Sequence, residues 1–139
     1  VSTNRTARAS AIGLLAIAGL LLTGCAGGQS KADACTIVQN TLEKAQTELT
    51  DSVSSFGDDP VAGSEAVTKL AGSFSDANDK ITNGDVKPKS TDATKALDTF
   101  AAEMETAATD PASADQTALS DAIADVQSTF TDLQEVCQG

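Results

Sequence analysis

LSDAIADVQSTFTDLQEVC, Leu119 to Cys137, places its apolar residues at Leu119, Ile123, Val126, Phe130, Leu133 and Cys137. The steps alternate between four and three residues. That is the period of one face of an α-helix, and strand alternation is absent. Three earlier stretches repeat the pattern. The first is Cys35, Val38, Leu42, Ala45, Leu49, Ser52, Phe56, and the second is Val67, Leu70, Phe74, Ala77, Ile81. The third is Ala93, Leu97, Phe100, Met104, Ala107. Ile37, Val53, Ala66, Ala101 and Val136 widen these stripes into faces.

The residues between the stripes break helices. Gly57-Asp58-Asp59-Pro60 separates the first from the second, with Asp59 and Pro60 spaced as a cap and a first-turn proline. Asn83-Gly84 ends the second. Pro88 is expected in the following loop, Asn83 to Ser90, with Ser90 capping the third helix. Asp110-Pro111 precedes the fourth, where Ser113 and Gln116 have the spacing of a capping box. Gly63 and Gly72 each weaken a helix by about 1 kcal/mol relative to alanine, so helix two is expected to be the least regular.

Four amphipathic helices with short loops predict an all-α, up-down-up-down four-helix bundle. In that topology the start of helix one and the end of helix four lie at the same end. Cys35 opens the first stripe and Cys137 closes the last, so the topology brings them together as a disulfide. The bridge closes a loop of about 100 residues, for which the chain-entropy model gives roughly 4.7 kcal/mol. That stabilisation matters for a core rich in alanine and poor in aromatic rings.

The segment before the bundle has a different character. Arg5 and Arg8 are followed by a charge-free run from Ala9 to Leu22, too short for the about 20 apolar residues of a membrane span. The arginines are not adjacent, which disfavours a twin-arginine signal. Val1 in first position fits either a non-ATG start or a fragment. The run ends in Leu22-Thr23-Gly24-Cys25, which resembles the lipobox of bacterial lipoproteins. The resemblance covers residues 1–25 only. It implies a diacylglycerol on the Cys25 thiol and cleavage between Gly24 and Cys25, with residues 1–24 lost as a signal peptide. Each acyl chain would contribute about 0.8 kcal/mol per buried CH₂ to anchoring. Residues 25–32, rich in Gly and polar side chains, are expected to form a flexible tether, and residues 33–139 the acidic bundle. An exported chain meets oxidising conditions, which agrees with the pairing of Cys35 and Cys137.

Charge narrows the function classes. Both arginines lie in the leader; the remaining seven lysines face twenty acids, a formal charge of −13 on residues 25–139. No basic patch is available to displace counterions from nucleic acid, and the acidic surface opposes lying flat on anionic lipid. The chain has no histidine, which removes the commonest general base and the commonest zinc and haem ligand. No catalytic residues, no metal site and no cofactor beyond the lipid on Cys25 are expected, and the protein is not expected to be an enzyme.

Several local patterns have chemical readings. Asp76 and Asn78 fit the first two ligand positions of a calcium loop, but Lys80 stands where a third oxygen is needed and Ile81 where glycine is needed. Lys87-Pro88-Lys89 is the only concentrated positive charge and could touch anionic head groups; a polar turn is the simpler reading. Asp121 and Asp125 share a helix face, as solvated acids usually do. Met104 reads as core filler, and the phenylalanines, one per helix, as core anchors rather than a ligand cage.

The expected role is a lipid-anchored interaction or docking module of the cell envelope, with another envelope protein as partner. A carrier of a small hydrophobic ligand between the helices is the alternative, since an alanine-rich seam leaves room. The bias toward Ala, Thr, Ser and Asp suits a GC-rich coding sequence and a Gram-positive host, placing the domain on the outer face of the plasma membrane.

Overall fold

Residues 28–56 and 59–139 are described by the computed structural model, the side chains of 49–56 excepted. Four helices follow in order: α1 (Lys31–Phe56), α2 (Pro60–Lys80), α3 (Val86–Thr109) and α4 (Gln116–Gln138). No strand occurs among the described residues.

Each start has a local cause. Ser30 caps α1: its hydroxyl accepts from the Asp33 amide at 3.1 Å and donates to the Asp33 carboxylate at 2.7 Å. Asp33 also places a negative charge at the positive end of the helix dipole. Asp59 caps α2, accepting from the amides of Val61 (3.0 Å) and Ala62 (3.2 Å), and Pro60 follows at the first helical position. Both features agree with the expectation for this break.

Two expected caps are corrected. Helix α3 starts at Val86, so Ser90 lies inside it and is buried, and Pro88 sits in its first turn rather than in a loop. A proline is tolerated there because first-turn amides have no intrahelical acceptor. The capping is done by Asn83. Its side-chain oxygen accepts from the amides of Asp85 (3.1 Å) and Val86 (3.2 Å), and its carbonyl accepts from Lys87 at 2.9 Å. For α4 the cap is Asp115, which accepts from Thr117 (2.8 Å) and Ala118 (3.2 Å). Ser113 instead closes a turn back onto Asp110, through its amide (3.0 Å) and its hydroxyl (2.6 Å). An aspartate adjacent to the helix reaches the second and third amides, so the more distant serine is not needed.

Helix α2 forms despite its two internal glycines. It runs without interruption through Gly63 and Gly72. Its buried face, including Val67, Ala71, Phe74 and Ala77, packs into the bundle and outweighs the weak propensity of the two glycines.

The helices pack as an up-down-up-down bundle. Consecutive helices share long interfaces, whereas α1 meets α4 sparsely. The core has two clusters. One lies at the disulfide end and joins Ala34, Val38, Ile81, Val86, Ala93 and Leu133. The other lies further along the shaft and joins Ala45, Val67, Ala71, Phe74, Leu97 and Ala101. The rings of Phe74 and Phe130 pack edge to face, 5.0 Å between centroids. The Cys35–Cys137 disulfide, with Cα atoms 5.6 Å apart, ties the start of α1 to the end of α4 as the topology requires. Among the described residues no buried side-chain nitrogen or oxygen lacks a partner; the Thr94 hydroxyl donates to the Ser90 carbonyl at 2.8 Å and the Ser64 hydroxyl to that of Val61 at 2.9 Å.

Candidate functional site

Two regions carry interest: the end where the chain enters, and the seam between α1 and α4. At the entry end, Gln29 precedes α1 by two residues and lies against the connection between α2 and α3. Its side-chain amide donates to the Lys80 carbonyl at 3.1 Å. Its side-chain oxygen accepts from the amides of Thr82 (2.8 Å) and Asn83 (3.3 Å). The Asn83 side chain returns a bond to the Gln29 carbonyl at 3.1 Å. Part of the stretch expected to be tether is therefore held by the bundle, and α1 begins at Lys31. Leu22, Thr23, Gly24 and Cys25 lie outside the described residues.

The two lysines flanking Pro88 are engaged by the bundle itself. Lys87 donates to the Asn78 carbonyl in the last turn of α2, where cations complement the helix dipole. Lys89 forms a 2.7 Å ion pair with Asp132 of α4. The hydrogen bond and charge of Asp132, with smaller contributions from Asp92 and Glu135, hold the Lys89 pKa above its ordinary value. Both ends of this pair are partly exposed, so it contributes little to stability. These contacts leave the pair of lysines poorly disposed to grip head groups.

The α1–α4 seam opens into a cleft of about 550 Å³. Leu42 and Ala45 of α1 form one wall; Val126 and Phe130 of α4 form the other. Phe74 of α2 and Leu97 of α3 form the floor, and both are almost fully buried, 4% and 3% exposed. The rim is polar, with Glu43, Gln46 and Gln134. The cleft therefore reaches the bundle axis and touches all four helices. A second hollow, of about 340 Å³ between α1 and α2, is lined by Asn40, Lys44, Glu48, Asp76 and Lys80 among others and has the mixed charge of solvated surface.

The remaining sequence patterns are ordinary surface or core. Asp76, Asn78 and Lys80 form the last turns of α2, and no group of His, Cys, Asp or Glu among the described residues is arranged to hold a metal. Asp121 and Asp125 are exposed on α4, and Met104 is half-buried on α3. Of the phenylalanines, Phe74 is buried and Phe100 and Phe130 are half-buried; the side chain of Phe56 is outside the description. No described helix is long and apolar enough to cross a membrane.

Sequence reasoning missed Gln29 and Asn83 as a cap; it allowed room between the helices but did not place the cleft or name the residues that line it. Asn83 had a signal, an Asn three residues before Val86, but the proline at 88 argued for a longer loop. Gln29 had none, because its partners are more than 50 residues away. The described residues thus form a disulfide-closed all-α bundle with an apolar cleft along its open seam. Comparison with known proteins finds no matching family model, curated protein or solved structure.

Proposed function

We propose that this chain is an extracytoplasmic lipoprotein, anchored through a lipid on Cys25, whose bundle serves as a docking module for another protein of the cell envelope. The observation that carries the docking role is the position of two apolar side chains. Val61 and Ile123, 44% and 41% exposed, are the large hydrophobic residues left exposed among those described. Val61 lies at the start of α2 and Ile123 about two turns into α4, both in the half of the bundle away from the disulfide. The Gln29 contacts hold the entering chain at the opposite end. An anchored domain arranged this way offers its distal half to a partner.

The test places a photoreactive side chain at Val61 or at Ile123, with exposed Asp98 as control, in cells that make the protein. Crosslinking to one envelope protein from the first two sites and not from the third is expected. Equal labelling from all three, or none, would sink the docking role. The anchor is tested separately by intact mass: residues 25–139 plus acyl chains, less two hydrogens for the disulfide.

A second reading, a carrier of a small hydrophobic ligand, is favoured by the cleft. Its floor reaches Phe74 and Leu97, and its volume lies within the about 300–1,000 Å³ of small-molecule sites. A small adduct retained in the native mass spectrum supports it; a chain that is always empty does not.

A further inference from the structure

We propose that the α1–α4 cleft takes the alkyl chain of an uncharged amphiphile. The inference rests on the carrier reading and needs neither the lipid on Cys25 nor a protein partner.

Depth identifies the shape of the occupant. A helix docking on two neighbouring helices would touch those two. This cleft has lining residues from all four, down to Phe74 and Leu97 at the bundle axis. An α-helix with its side chains is about 10–12 Å across, and wherever the seam is narrower than that it has to spread α1 from α4 to reach that floor. The disulfide limits such spreading at the near end, because Cys35 and Cys137 lie only two turns from Leu42 and Phe130. A slender alkyl chain needs less room between the two helices than a helix does. Leu42, Ala45, Val126 and Phe130 would cover it on both sides.

The rim identifies the charge. Glu43, Gln46 and Gln134 offer amide groups and one carboxylate, and no lysine lines the cleft. Lys44, the nearest in sequence, lines the hollow between α1 and α2 and a second one with Asn40, Glu43 and Thr47, but not the cleft. An anionic head would be placed beside Glu43, on a domain whose formal charge is −13, with no cation to receive it. A hydroxyl or ester head can exchange hydrogen bonds with the exposed rim amide of Gln134 at no such cost.

The experiment titrates the full chain with phenylnaphthylamine, an uncharged fluorophore that brightens in apolar sites, and displaces it with decanol or with decanoate. One-to-one saturable binding is expected, with decanol displacing the probe at about tenfold lower concentration than decanoate. Ala45→Leu fills the cleft and should weaken probe binding by about tenfold or more. Gln134→Lys changes only the exposed rim and should improve displacement by decanoate about tenfold, which keeps the test sound if the first variant misfolds. Absence of saturable binding, or indifference to both substitutions, overturns the proposal. So does equal displacement by decanol and decanoate. Displacement by an amphipathic helical peptide but not by decanol overturns it too and makes the cleft a helix groove. None of these outcomes bears on crosslinking from Val61 and Ile123, so the docking reading fails or stands separately.

Discussion

Asn83 is bound to Gln29 twice, through its backbone amide (3.3 Å) and its side-chain amide (3.1 Å), while its side-chain oxygen caps α3. One residue therefore starts a helix and holds the entering chain against the end of another.

That double role predicts an asymmetry. Asn83→Ala should cost about 1–2 kcal/mol, because it removes a cap and a bond to the entering chain. Gln29→Ala should cost less, about 1 kcal/mol or below, since its partners at Thr82 are open to water. Urea unfolding of both variants measures this. A larger loss from Gln29 than from Asn83 contradicts the assignment.

The disulfide joins residues 102 apart, and α1 has little other contact with α4. Reduction, or the pair Cys35→Ala and Cys137→Ala, should lower stability by about 2–5 kcal/mol. Urea midpoints with and without reductant give the number. The seam should loosen first, so amide exchange in the first turns of α1 and the last turns of α4 should accelerate more than in α2 or α3.

Phe74 and Phe130 meet edge to face but differ in burial. Phe74→Ala opens a cavity at the bundle axis and should cost about 3–5 kcal/mol. Phe130 stands on the cleft wall, half exposed, and its truncation should cost clearly less. Equal losses would show that the cleft is closed over Phe130 in solution.

The Lys89–Asp132 pair carries a pH signature. The Lys89 pKa is raised above the ordinary 10.5 by the Asp132 hydrogen bond first and its charge second. A raised folded-state value means that the stabilisation is fully present below 10.5 and is lost as pH rises through the folded-state pKa. The stability gap between the native chain and Lys89→Met should therefore be small at neutral pH and salt-sensitive, and should close in strong alkali. A gap that widens with alkali contradicts the sign.

Much of the architecture was legible because its signals are local or periodic. The stripes at Cys35–Phe56, Val67–Ile81, Ala93–Ala107 and Leu119–Cys137 mark four helices, and Asp59-Pro60 marks a start that the structure keeps. Caps were less legible. Asn83, Ser90, Asp115 and Ser113 are all competent capping residues, and only the position of the first buried side chain chooses among them. Val86, fully buried against Ile81 and Leu133, draws α3 back by one turn and leaves Ser90 inside. The candidate site was less legible again. Leu42, Val126 and Phe130 read as core residues, and in the fold they are only partly covered.

Sequence by itself determined the helical class, the antiparallel order and the pairing of Cys35 with Cys137. Period, loop length and the parity of four helices leave little choice in each. Tertiary structure alone decided that α1 stands apart from α4 along the shaft, that Gln29 reaches Asn83, and that Phe74 and Leu97 floor a cleft. An apolar stripe states which face seeks cover; it does not state how closely the neighbouring helix can approach, because that distance follows from how all four faces pack at once.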